Sequence, residues 1–71
     1  MAHEMHPARV TRLANDIAVQ FSYLPDARAA ETIAAHIRQF WEPRMIAELA
    51  ALSGQADDGL VARAKAAARL L

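Results

Sequence analysis

Three histidines, His3, His6 and His36, are the residues of this chain that are chemically best suited to bind a metal ion. A protein metal site needs three or four ligands that converge at fixed distances. His3 and His6 lie close together near the N-terminus, whereas His36 is distant in the sequence. The chain has no cysteine, which excludes disulfides and thiolate ligands. We therefore predict solvated histidines and no metal site.

The sequence also lacks a pattern typical of catalysis. General acid–base chemistry requires a cleft that shifts pKa values, and neither serine has a base near it in the sequence to activate it. The only glycines are Gly54 and Gly59, which excludes a Gly-rich phosphate loop. We predict no catalytic and no cofactor-binding residue in this chain, and we interpret Asp57 or Asp58 as a helix cap.

The most informative segment runs from His36 to Met45, with two aromatic residues and two arginines around a proline. Adjacent helical residues point about 100° apart, so Phe40 and Trp41 cannot both face the centre of one core. Trp, Tyr and Arg dominate interface hot spots, and Met is common at adaptable surfaces. We predict a segment that serves both the core and a partner interface; the alternative is a segment that only fills the corner between two helices. The predicted interface residues are His36, Arg38, Phe40, Trp41, Pro43, Arg44 and Met45.

Helices must position this segment, because apolar residues recur at steps of three and four along the chain. A first helix, with Pro7 in its first turn, extends to the break at Pro25. We predict a second helix from about Ala27 to Phe40 and a third from Pro43 to about Leu52. The fourth helix is predicted from Gly59 to Leu71. The core stripes of the first two helices are Val10, Leu13, Ala14, Ile17, Phe21 and Leu24, followed by Ala30, Ile33, Ala34 and Ile37.

Two residues are predicted to mark helix ends. Asp26 is the expected N-cap of the second helix, and Gly54 is expected to end the third helix in a left-handed conformation. The chain is therefore predicted to be all-α, a small compact bundle of three to four short helices. Residues 1–71 form one domain, with 1–7 as a flexible N-terminus.

The composition of the chain argues against a nucleic-acid-binding or membrane protein. The net charge is +0, whereas dedicated nucleic-acid binders are usually basic and membrane-surface segments are polybasic. No apolar run is long enough to span a membrane, and the N-terminus lacks the apolar stretch of a signal peptide. We therefore expect a cytoplasmic protein that binds neither nucleic acid nor membrane. A 71-residue chain without disulfides is of marginal stability alone, so a partner surface would stabilise it.

The sequence resembles a known family over about residues 9–52. The resemblance is carried by the first-helix pattern 12–18, an aromatic-containing turn, and the run 33–37 leading into Phe40-Trp41-Glu42-Pro43-Arg44-Met45. These patterns resemble those of the delta subunit of NAD-dependent molybdenum or tungsten formate dehydrogenases. The tail beyond residue 52 matches more loosely.

The resemblance implies an accessory subunit of a bacterial complex that oxidises formate to carbon dioxide and reduces NAD. In such complexes the large subunit carries a molybdenum bis-guanine-dinucleotide cofactor and iron–sulfur clusters, and diaphorase subunits carry FMN and further clusters. The delta subunit would bind the catalytic large subunit and stabilise it or assist its assembly. Two other classes remain open: a small helical regulator or DNA-binding module, and a structural protein that self-associates through its Ala-rich last helix.

Overall fold

The computed structural model describes residues 9–55 and 58–71, and this part of the chain is helical with no strand. It contains four helices: α1 (Arg9–Gln20), α2 (Asp26–Phe40), α3 (Pro43–Leu52) and α4 (Ala62–Ala68). The predicted all-α bundle is confirmed. Pro7 and the expected flexible segment 1–7 lie outside the described residues. No described helix is both long and apolar enough to cross a bilayer.

A single hydrophobic core joins all four helices. The stripes predicted for α1 and α2 face it: Val10, Ala14 and Ile17 are buried, as are all four stripe residues of α2. Eight of the thirteen buried apolar residues in the described ranges are alanine, so the helices can approach one another closely. The pairing of α2 with α4 is the most extensive contact between elements. The eight alanines are Ala14, Ala18, Ala29, Ala30, Ala34, Ala64, Ala67 and Ala68.

The third helix has the predicted bounds because proline fixes its start. Pro43 occupies the first helical position, where its missing N–H costs nothing. Proline also disfavours helical backbone in the residue before it, and Glu42 is accordingly extended, with φ −68° and ψ 148°. Leu49 is the one buried residue of this helix. The helix α3 therefore packs on one side of the core and is mostly exposed itself.

The caps predicted at Asp26 and Gly54 are wrong. Pro25 is the N-cap residue of α2, and Asp26 lies inside the first turn without capping it. Its carboxylate instead pairs with Arg63, at 2.9 Å. Gly54 is not left-handed; the glycine with positive φ is Gly59, at +74°. That conformation is one that only glycine adopts readily.

The fourth helix is shorter than predicted, because residues 58–61 are not helical and the helix ends at Ala68 instead of Leu71. Side chains, rather than helical hydrogen bonds, hold the segment 58–61. The N-cap of α4 is Val61, not Asp58, and Asp57 lies outside the described residues. Asp58 accepts a hydrogen bond from the Leu60 N–H at 3.0 Å. Its Oδ2 atom lies 3.0 Å from the Lys65 ammonium, an ion pair without hydrogen-bond geometry.

One side-chain amide joins α1 to this non-helical segment. Asn15 Nδ2 donates to the Gly59 carbonyl at 3.0 Å, and Asn15 Oδ1 accepts from the Val61 N–H at 2.9 Å. The Gly59 carbonyl and the Val61 N–H both precede α4, so neither has a hydrogen-bond partner within a helix. Asn15 therefore fixes where α4 begins and how it lies against α1.

Replacing Asn15 with alanine should destabilise the fold by roughly 1–2 kcal/mol, because two backbone groups lose their partners. Urea unfolding followed by far-ultraviolet circular dichroism measures the change in free energy of unfolding. Gln20→Ala, at an exposed position of the same helix, is the control and should be nearly neutral. Equal stability of the two variants would contradict the role given to Asn15.

The Asp58 carboxylate should make stability depend on pH. The Leu60 N–H hydrogen bond, followed by the Lys65 ammonium, lowers its pKa below the usual 3.8. A lowered folded-state pKa stabilises the fold above the unfolded pKa, and this contribution is lost as the pH falls through the folded value. Asp58→Asn should therefore lower the Tm at pH 7, with a deficit that disappears in strong acid. A deficit independent of pH would exclude the charge as its cause; Asp16→Asn serves as an exposed control.

Candidate partner interface

The predicted interface lies at the corner between α2 and α3. Trp41 is the C-cap of α2, with φ −94° and ψ 149°, and its N–H donates to the Ile37 carbonyl at 2.9 Å. Glu42 is the N-cap of α3, and its carbonyl accepts from the Ile46 N–H at 3.1 Å. Two successive extended residues thus turn the chain while both helix ends keep hydrogen bonds. The corner is a fixed junction.

The two aromatic residues of the corner have different surroundings. Trp41 is half-buried and packs against the core, as does Met45. Phe40 is 66% exposed. This division agrees with the argument that adjacent residues cannot both face one core. Phe40 therefore adds little to folding and is available for contact.

The polar members of the predicted set surround this corner. Pro43 and Arg44 are exposed, and Arg44 makes no ion pair with another residue of 9–55 or 58–71. Arg38 is exposed, and its guanidinium donates to the Leu70 carbonyl. His36 is half-buried on α2, one turn before Phe40. Arg38 thus has a partner in its own chain, whereas Arg44 has no ion-pair partner within these described ranges and is a candidate for a contact with another chain.

A strip of four aromatic rings extends from the corner across the surface. The His36 ring lies 4.8 Å from Phe40 and 6.3 Å from Phe21, and Phe21 lies 6.5 Å from Tyr23. These separations are within the range of favourable aromatic pairs. Tyr23 is 76% exposed at one end of the strip, and Phe40 is exposed at the other. We call these residues the aromatic strip.

Sequence reasoning missed two members of this strip, Phe21 and Tyr23. Phe21 fits the apolar stripe of α1, and Tyr23 lies in the turn before Pro25, so neither indicated a surface role. The contact of Phe21 with His36 depends on how α1 crosses α2, which periodicity does not specify. The sequence signal that could have indicated them is the presence of two aromatic residues, two positions apart, at the turn after α1.

No group of three or more potential metal ligands occurs among residues 9–55 and 58–71. His36 lies among aromatic rings, and His3 and His6 lie outside the described residues.

Replacing each of the two corner aromatic residues with alanine should show which of them the fold needs and which is available for docking. Phe40→Ala should change the free energy of unfolding by less than about 0.5 kcal/mol, because its ring is mostly exposed. Trp41→Ala should cost roughly 1–3 kcal/mol, because a half-buried ring leaves the core. Urea unfolding monitored by circular dichroism distinguishes them. A large loss for Phe40→Ala would show that its ring belongs to the core.

Comparison with known families places most of the chain within one family model. The family model described as NADH-dependant formate dehydrogenase delta subunit FdsD matches residues 9–68. The match includes the aromatic strip, the corner and the whole of α4. No curated protein and no solved structure matches the chain.

Proposed function

Because the chain belongs to the NADH-dependent formate dehydrogenase delta subunit family, we propose that it is a non-catalytic accessory subunit of a formate dehydrogenase complex. It docks onto the large catalytic subunit, where it stabilises that subunit or assists its assembly. Other subunits oxidise formate to carbon dioxide and reduce NAD. The contribution of this chain to the reaction is structural.

The observation that carries this proposal is the exposed aromatic strip, continuous with the α2–α3 corner. Tyr23 and Phe40 are 76% and 66% exposed, so folding alone does not account for their type. Aromatic residues of this kind, beside an arginine, are typical anchors of protein interfaces. Arg44 adds a planar donor for a partner carboxylate or carbonyl.

The redox cofactors are assigned to the partners. Iron–sulfur clusters are held mainly by cysteine thiolates, and this chain has no cysteine. The molybdenum bis-guanine-dinucleotide cofactor, the clusters, FMN and NAD would all be held by the large and diaphorase subunits. The delta subunit influences them only through the shape of the subunit that it contacts.

Co-purification with the large subunit tests the proposal. Phe40→Ala and Trp41→Ala should each reduce recovery of the chain with a tagged large subunit, because anchors of this kind are worth about 2 kcal/mol or more. Arg44→Ala should weaken binding to a lesser degree. Gln39→Ala, at an exposed neighbouring position, is the matched control and should bind normally.

Phe40→Ala is the decisive variant, since its fold should be intact. Full recovery of the complex with both Phe40→Ala and Trp41→Ala would contradict docking through this surface. If only Trp41→Ala loses binding, and does so because it is unfolded, the corner has a role in the core alone.

A further inference from the structure

One side chain of α4 holds the turn that connects α1 to α2. Arg63 Nη1 donates to the Phe21 carbonyl at 3.2 Å and to the Ser22 carbonyl at 3.0 Å. Its Nη2 atom lies 2.9 Å from the Asp26 carboxylate, at the start of α2. A single guanidinium therefore contacts both ends of the α1–α2 turn, residues 21–25.

These contacts explain the position of Arg63 better than its own helix does. Arg63 is the second residue of α4, and the helix dipole favours cations at the C-terminal end of a helix, not at the N-terminal end. Its guanidinium lies instead against the carbonyls that follow the last residue of α1, where an arginine is favourable. Arg63 thus serves the end of α1 and the start of α2 from a third helix.

The turn that Arg63 holds carries half of the aromatic strip. The Phe21 ring contacts Tyr23 on one side and His36 on the other. Tyr23 is mostly exposed, so the packing of its own ring does little to fix its direction. The backbone of the turn must do so instead. A surface whose backbone is already ordered loses less entropy when a partner covers it.

The geometry of the contacts requires arginine. A guanidinium is a planar fork with five N–H donors, whereas a lysine ammonium is a compact point charge. The Asp26 side chain is 90% exposed, and ion pairs with exposed carboxylates contribute little. The two hydrogen bonds to the carbonyls of Phe21 and Ser22 therefore account for most of the hold on the turn.

We propose that Arg63 is a positioning residue of the docking surface. It fixes the α1–α2 turn, so that Phe21 and Tyr23 meet the large subunit in one arrangement. Arg63 acts through backbone carbonyls and not through contact with the partner. The last helix, which carries no ring of the aromatic strip, thereby determines the shape of one end of it. This inference rests on the proposed function.

Nitrogen-15 relaxation of the full chain tests the hold on the turn without any partner. In Arg63→Gln the backbone order parameters of residues 21–24 should fall from about 0.85 towards 0.6, because the turn loses its external donor. Residues 38–43 should keep their order. Arg69→Gln removes an exposed arginine at the other end of α4 and should leave the turn unchanged.

A double-mutant cycle tests the effect on docking. The Kd of each purified variant is measured for the formate dehydrogenase complex prepared without this chain. Arg63→Gln and Tyr23→Ala should each raise the Kd at least about fivefold, and the double variant should raise it little further, because a loosened turn no longer presents the ring. Arg63→Gln and Phe40→Ala should instead multiply, since Phe40 lies on α2 at the opposite end of the aromatic strip.

Two further variants separate the guanidinium fork from its charge. Arg63→Lys keeps the charge beside Asp26 but lacks the fork, so its order parameters and Kd should lie between those of wild type and Arg63→Gln. It replaces Arg63→Gln in both experiments if circular dichroism shows that Arg63→Gln is unfolded. Asp26→Asn leaves both carbonyl contacts in place and should change the Kd less than about twofold.

The outcomes distinguish this inference from the proposed function. A turn that stays ordered in Arg63→Gln overturns the role of Arg63 and leaves the proposed function intact. If the effects of Arg63→Gln and Tyr23→Ala multiply fully, Arg63 only stabilises the fold, and the inference is again overturned. Normal binding of both Tyr23→Ala and Phe40→Ala contradicts the proposed function, and with it the docking role of Arg63.

Discussion

The two hydrogen bonds of the Asn15 amide hold the last helix against the first. They satisfy one carbonyl and one N–H in the non-helical segment before α4, where the chain has no helical partners of its own. Thr11, one turn earlier on α1, donates more weakly to the Asp58 carbonyl at 3.4 Å. Gly59 completes the arrangement, because its φ is positive and a Cβ atom at this position would lie 3.4 Å from the Thr11 methyl group. This attachment positions the start of α4 against α1.

The alanine-rich core explains why the large side chains lie elsewhere. Close approach of α2 and α4 requires small residues such as Ala34, Ala64 and Ala68, which leave little room for rings. The rings of Phe21, His36 and Phe40 therefore collect at the edge of the bundle. A chain of this size gains only a small margin of stability from such a core. Apolar groups at its edge gain more when they are covered by a partner.

The sequence alone predicts the features that depend on interactions between residues close together in the chain. Pro43 determines where α3 begins, and the spacing of Ile33 and Ile37 predicts the buried face of α2. The resemblance carried by the Phe40–Met45 run agrees with the family match over 9–68. These features require only the helical period and the restrictions that proline imposes.

Features that depend on contacts between distant segments could not be predicted. The start of α4 is set by Asn15, which lies more than forty residues earlier, so the local pattern from Gly59 wrongly extended the helix. Gly54 and Gly59 both follow polar residues and are equivalent in sequence, yet only Gly59 has positive φ. The aromatic strip likewise arises from the crossing of α1 and α2. The interface residues from His36 to Met45 stay a prediction.

Amide hydrogen exchange can show whether the large subunit covers the α2–α3 corner and the aromatic strip, as we propose. The isolated chain would be compared with the same chain in the purified formate dehydrogenase complex. We expect slower exchange in the complex for peptides that span Tyr23 and residues 38–46. Unchanged exchange in these peptides, in an intact complex that contains the chain, would contradict it.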